Sequence, residues 1–215
     1  MRLAEIFNDW EDSDFWNSDD KVISLITTHC QPYLQKVGGV RNALVRHPLF
    51  RGMKIDIKDN ASLINVNQNR SPLDTPLNIH NAIDAWFQKK TGIKFRSSSV
   101  FCTGSWGTAS AYGFNTFVVI PAGKYDYCWS PIIEDMFEDL GHYVWKLDKI
   151  AGRDKDLTTA YLEDHPDKLE AFLQKGKFKL NKGLEEAIHS QHEVMIHCQQ
   201  AVIVDIKWVT AHEHS

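Results

Sequence analysis

The 215-residue chain has no run approaching the ~18 consecutive apolar residues that a membrane-spanning helix needs. Its opening residues, Met1 to Phe7, meet acidic side chains by Glu11, and no signal-peptide apolar region follows. No membrane partner is therefore expected, and the protein is expected to act in the cytoplasm where it is made. Cysteine is sparse. Cys30, Cys102, Cys128 and Cys198 lie far apart and form no C-x-x-C pair. That argues against a disulfide framework and for buried or incidental thiols in a reducing compartment. Excess positive charge is lacking too: the formal net charge of -4 gives no general attraction to nucleic acid or anionic lipid. Internal repeats and low-complexity segments are also missing. What is present, 43% hydrophobic and 24% charged residues, is ordinary for one globular domain spanning residues 1–215.

Leu3, Ile6, Phe7 and Trp10 are spaced as the apolar face of a short helix. Ser18-Asp19-Asp20 reads as a helix start. The stripe Val22, Leu25, Ile26, Tyr33 and Leu34 reads as a second helix, ended by Gly38-Gly39. Leu49 and Phe50 then begin a strand that carries Arg51 directly before Gly52. Arginine offers a planar fork of donors suited to phosphate oxygens, and glycine admits a ligand or another strand at close range. Asn67 to Pro76 is a polar loop rich in turn formers. Asn78 is placed to cap a helix bearing Ile79, Ile83, Trp86 and Phe87, closed by Thr91-Gly92.

Phe95-Arg96-Ser97-Ser98-Ser99-Val100-Phe101 reads as a strand with three serines at its centre, whose hydroxyls need partners if they are buried. Ala109 to Tyr112 is a small-residue helical turn. Phe117 to Ile120 is a strand stopped by Pro121-Ala122-Gly123. Between residues 129 and 188 the composition shifts to helical spacings separated by charges, including a basic cluster of Lys175, Lys177, Lys179 and Lys182. Gln191-His192-Glu193 then precedes Val194-Met195-Ile196, a polar Gln199-Gln200 turn, and a closing strand from Ala201 to Ile206. With period two, Gln191 and Glu193 are expected on one face of the first strand, and Val194 and Ile196 on the core face. A carboxylate at the mouth of a buried strand costs free energy unless a site uses it.

A metal centre is not expected. His192-Glu193 followed by His197 misses the H-E-x-x-H spacing by one residue. Five residues on a helix are about 140° apart, and on a strand the two histidines face opposite ways.

In their order and flanking strands, Phe50-Arg51-Gly52, Phe95-Arg96-Ser97-Ser98-Ser99 and Gln191-His192-Glu193 resemble the mono-ADP-ribosyltransferase family of the arginine, serine-motif and glutamate type. The likeness covers roughly residues 49 to 123 and 189 to 206. Two departures stand out: Ser98 replaces the usual threonine, and residues from about 129 to 188 become a helical insertion. The resemblance implies an α+β fold with two packed, mostly antiparallel sheets forming an NAD cleft, flanked by N-terminal helices.

It also implies the chemistry. NAD would be the co-substrate and no metal would be needed. Glu193 would stabilise the cation that grows on the ribose as nicotinamide leaves, as a carboxylate does in glycoside cleavage. Arg51, beside Gly52, would bind the NAD phosphates. Ser97 would orient Glu193, and Ser99 would support the strand or the nicotinamide pocket. Tyr112, with Trp106 and Phe114, is a candidate to stack on nicotinamide. Gln191 would position the acceptor, and glutamine there goes with acceptors other than arginine: another protein side chain or a nucleic-acid base. An effector of this kind suits a virus-encoded or toxin–antitoxin setting, acting in the host cytoplasm. An NAD glycohydrolase and a non-catalytic binding module on the same fold are the alternatives.

Overall fold

Two long strands carry the fold. In the computed structural model, which describes residues 20–72 and 75–213, β4 (Asn115–Trp129) and β6 (Val194–Asp205) run antiparallel along most of their length. Phe117 to Ile120 and Ala201 to Val204 are fully buried. β-Branched and aromatic runs of this kind form strands covered on both faces.

The four shorter strands pair with these two. β1 (Phe50–Met53) lies on the outer edge of β4, and β2 (Ala61–Asn65) pairs with the far half of β6. β3 (Ser99–Cys102) pairs with the near half of β6, from Ser99↔His197 to Cys102↔Val194. β5 (Lys179–Leu180) closes the end of β4. Phe50 and Thr103 exchange two backbone hydrogen bonds, of 2.7 and 3.0 Å, which tie β1 to the end of β3.

The fold is thus α+β, with one six-stranded antiparallel sheet rather than the two packed sheets expected. The reason lies in the long strands, which pass through both halves of the sheet and make it continuous. Two turns expected from sequence are absorbed on the way. Pro121-Ala122-Gly123 does not stop β4; the chain takes up a register shift between Ala122 and Tyr125, with Gly123 at φ +64°. Gln199-Gln200 does not turn β6, because Gln200 stays paired with Ala122 on one side and Asn65 on the other.

Alternation along the strands sorts the core into two faces. Val194 and Ile196 join Val100 and Cys102 in one apolar cluster, as expected for the core side of this strand. There they meet α1 (Lys21–His29) and α2 (Gln31–Val37). Met195 and Cys128 lie in the other cluster, packed with α3 (Leu77–Thr91). All four cysteines are buried and free, and burial pushes each thiol up to about 12.

Local sequence explains most helix boundaries. The Asp20 carboxylate accepts from Val22 N at 2.7 Å and starts α1. The single helix expected through Leu34 is broken at Cys30, because Pro32 in the first turn of α2 lacks the N–H that a continuous helix would use. Gly38, left-handed at φ +84°, ends α2. α3 begins after Pro76, so Asn78 is not its cap; the Asn78 amide instead donates to Glu163. The helix expected at residues 3–10 lies outside the described residues.

Four-residue α4 (Phe95–Ser98) precedes β3, and α5 (Trp106–Ser110) follows it. Between β4 and β6 come α6 (Met136–Leu147), a 3-10 turn, α7 (Lys155–Asp164), α8 (Pro166–Lys175) and α9 (Leu184–Ser190). This is the helical region expected between residues 129 and 188. α10 (Ile206–His212) follows β6 directly.

Candidate functional site

The serine motif is where the structure departs most from the expected strand. Phe95 to Ser98 make a helical turn, and only Ser99 onward is extended. Asp84 on α3 causes this. Its buried carboxylate accepts from the backbone N–H groups of Arg96 (2.8 Å) and Ser97 (3.3 Å). It also accepts from the Ser97 hydroxyl. First-turn N–H groups of a helix have no internal partner, and a carboxylate satisfies them. His80, one turn before Asp84, places Nε2 3.2 Å from Ser97 Oγ. Burial holds the His80 imidazole below its ordinary value; Asp84 opposes this, while Arg96 and Arg70 reinforce it.

The other two serines behave differently. The Ser98 hydroxyl donates to Lys94 O at 2.8 Å and lies 2.9 Å from His197 Nδ1. Ser99 Oγ is buried without a hydrogen-bond partner.

With its backbone held by Asp84, Arg96 sends its guanidinium to Glu193. Nη1 donates to the carboxylate at 2.8 Å, with side-chain exposures of 8% and 18%. Arg96 and Arg70 both pack on the Phe101 ring, at 4.5 and 3.9 Å from its centroid. Arg70 is fixed at both ends: its N–H donates to Ser97 O at 2.9 Å and its Nη2 to Arg96 O at 3.2 Å. Arg51 on β1 donates from Nη1 to Phe101 O at 2.8 Å. Burial, then the neighbouring charges of Arg96 and Arg51, pull Arg70 down to about 10. Two guanidinium groups therefore cover the Phe101 ring and a third caps its backbone carbonyl, and one of the two, Arg96, holds the Glu193 carboxylate.

Glu193 is held above the ordinary carboxylate range. Burial is the main cause; Arg96 pulls it back down, and Asp135 pushes it up. On the acidic side, Tyr112 donates its hydroxyl to Asp135 Oδ2 at 3.4 Å. Burial first, then Asp135, Glu138 and Glu193, push the Tyr112 phenol up to about 12. The Glu193 N–H donates to Glu134 O at 2.9 Å, which joins the α6 entry to this edge.

Arg51 and Glu193 both act electrostatically on Arg70, and Glu193 acts on Tyr112. The structure corrects three details. Ser97 does not touch Glu193; its hydroxyl goes to Asp84, and Arg96 is the partner that Glu193 has. Neither Gln191 nor Glu193 lies in a strand, because β6 begins at Val194. Gln191 sits exposed at φ +63° as the left-handed end of α9, and its carbonyl accepts from Thr103 Oγ1 at 2.6 Å. Gly52 admits a helix rather than a ligand: a Cβ there would meet the Ala109 carbonyl oxygen of α5 at 2.0 Å.

Sequence reasoning missed Arg70, Arg96, Phe101, Asp84, His80 and Asp135. Arg96 was in view inside the Phe-Arg-Ser segment and Arg70 inside the polar loop. An aspartate four residues after a histidine on α3 was the signal for the buried anchor.

The near miss to H-E-x-x-H holds no metal set. His192 Nδ1 lies 2.8 Å from Ser130 O, and His197 bonds the Ser98 turn instead. Among the described residues, one group has metal-ligating proximity, and it lies elsewhere: His47, Glu185 and His189. No helix among the described residues is long and apolar enough to cross a membrane. Set against known proteins, the chain matches no family model, no curated protein and no solved structure.

Proposed function

We propose that this chain is an NAD-dependent mono-ADP-ribosyltransferase that modifies a macromolecule other than at arginine. The observation that supports this reading best is the adjacency of three segments far apart in sequence. β1 meets the end of β3 at Phe50 and Thr103, and β3 pairs with the start of β6. Arg51, the Arg96-Ser97 turn and Glu193 thereby border one half-buried site.

The chemistry follows from the charges. Arg51 and Arg70 supply the forked donors for the NAD pyrophosphate. Glu193 supplies negative charge where the ribose becomes cationic, in a site dry enough to make that charge effective. The bond from ribose C1′ to nicotinamide breaks, and nicotinamide leaves with the bonding pair. The acceptor's nucleophile then bonds to C1′ and gives up its proton. Arg96 orients Glu193 and favours its ionised form, the task that the family resemblance assigned to Ser97. Tyr112 is exposed and feels the Glu193 charge, and it is the preferred stacking partner for nicotinamide. Gln191, exposed beside the site, faces the acceptor and is consistent with an asparagine, a cysteine or a nucleic-acid base.

The test is incubation of the purified protein with labelled NAD and a cell lysate, with Glu193→Gln alongside. The expected result is Glu193-dependent label in either the protein or the nucleic-acid fraction. Free ADP-ribose without labelled macromolecule would replace the transferase with a glycohydrolase. Absence of NAD consumption across lysates from several sources would leave only the binding module.

A further inference from the structure

We propose that His47, Glu185 and His189 form a binding site for a divalent transition metal, best suited to Zn²⁺. The proposal does not rest on the ADP-ribosyltransferase reading. The three side chains each offer a ligand atom, and these atoms all lie within 4.8 Å of one another. Glu185 and His189 are one turn apart on α9, so they project from the same helix face. His47 arrives from elsewhere in the chain, as the residue that ends a π-helical turn at Asn42–Arg46. π-Helical turns are rare and concentrate at functional sites.

A second observation points to a ligand. His47 Nδ1 is buried and has no hydrogen-bond partner. Its ring meets that of His189 edge-on, with centroids 5.5 Å apart, so neither imidazole supplies the other with a hydrogen bond along its plane. Two imidazoles and a carboxylate are borderline donors, matched to Zn²⁺ rather than to Ca²⁺ or Mg²⁺.

Zn–N and Zn–O bonds of about 2.0–2.2 Å at tetrahedral angles put ligand atoms roughly 3.3 Å apart. Exposed Glu185 and His189 can close that gap by side-chain rotation alone. Three protein ligands leave the fourth position to water.

Placement gives the site a consequence. α9 leads through Gln191 to Glu193, and His47 leads through Leu49 to Arg51. A metal here would pin the two segments that enter the half-buried site from opposite ends of the sequence. It would stabilise the folded chain by mass action, because an unfolded chain does not hold the three ligands together.

The experiment uses the full chain, stripped with a chelator, dialysed, and titrated with Zn²⁺ in a calorimeter. The expected result is one equivalent bound, with a rise in melting temperature. His189→Ala and His47→Ala each weaken binding by about tenfold or more. His189 is exposed, so its variant should keep the native circular dichroism without metal. Lack of Zn²⁺ binding by the wild-type chain would overturn the proposal. So would undiminished binding in both variants, which would move the metal to other histidines.

Discussion

Arg96 donates to the Glu193 carboxylate at 2.8 Å, and the two side chains are 8% and 18% exposed. A pair this far from water gains from mutual attraction but pays to leave the solvent. Its value therefore lies less in stability than in what it does to Glu193. Burial pushes the carboxylate toward its protonated form, and Arg96 is the strongest opposing influence. A protonated Glu193 would offer no charge to a cationic ribose.

The first prediction follows. In the proposed reaction Glu193 acts ionised, so on that proposal nicotinamide release should rise with pH through the raised Glu193 value. Arg96→Gln leaves burial and Asp135 in place but removes the opposing charge. The acid limb of kcat/KM for NAD should move to higher pH, with the rate on the alkaline plateau also reduced. An acid limb that stays where it is would show that Arg96 does not control the carboxylate. The variant should also lose stability in urea, near the lower end of the ~3–5 kcal/mol that follows removal of one partner of a buried pair.

Ser97 separates the geometry found here from the one expected. If Ser97 oriented Glu193 directly, Ser97→Ala would shift the acid limb as Arg96→Gln does. In the structure its hydroxyl serves Asp84 instead. Ser97→Ala should therefore cost about 1–3 kcal/mol of stability, because it leaves a buried carboxylate short of a donor. The pH midpoint of the surviving activity should stay in place. Parallel urea melts and pH–rate profiles of the two variants distinguish the accounts.

The fold was legible in sequence wherever one periodicity ruled a segment. Val194 and Ile196 were assigned to the core side from alternation alone, and both are buried. Helices α6 to α8 were legible from apolar spacing. Legibility failed where a distant residue overrode a local signal. Gln199-Gln200 has the composition of a turn, but pairing on both sides keeps it in β6. The Phe95–Ser98 segment has strand-like aromatics, but Asp84 accepts its N–H groups and winds it into a helical turn. The candidate site was read as three motifs. The wiring between them was not, because Arg70, Asp84 and Arg96 meet only through tertiary structure.

His80 carries a prediction about acid stability. Burial lowers its folded-state value below the ordinary histidine value of about 6.5 that holds in the unfolded chain. Between those two values the unfolded chain binds a proton that the native chain does not. Stability is therefore full above about pH 6.5 and is lost as pH falls toward the folded value. His80→Gln removes the titrating group. Its urea midpoint should be lower than wild type at neutral pH, but should fall less between neutral and mildly acidic pH. An equal slope in both proteins would mean that another group governs the acid limb.

Glycines test whether strand packing or local backbone freedom shapes the site. At Gly52 a Cβ would lie 2.0 Å from Ala109 O, and at Gly104 it would lie 1.8 Å from Ile188 O. Both obstacles are backbone atoms, which cannot rotate away as a side chain would. At Gly123 nothing lies within 4 Å of the added Cβ, and the only penalty is the left-handed φ of +64°. Gly123→Ala should then cost about 1–2 kcal/mol and leave NAD turnover unchanged. Gly52→Ala must displace α5 from Arg51, and Gly104→Ala must push the end of α9 away from Thr103, which holds the Gln191 carbonyl. Each should cost about 1–3 kcal/mol of stability and also lower turnover, because α9 leads into Glu193 and β1 carries Arg51. Thermal melts and NAD consumption on the three variants give the comparison. Equal turnover in Gly104→Ala and Gly123→Ala would mean that the α9 approach does not set the position of Glu193.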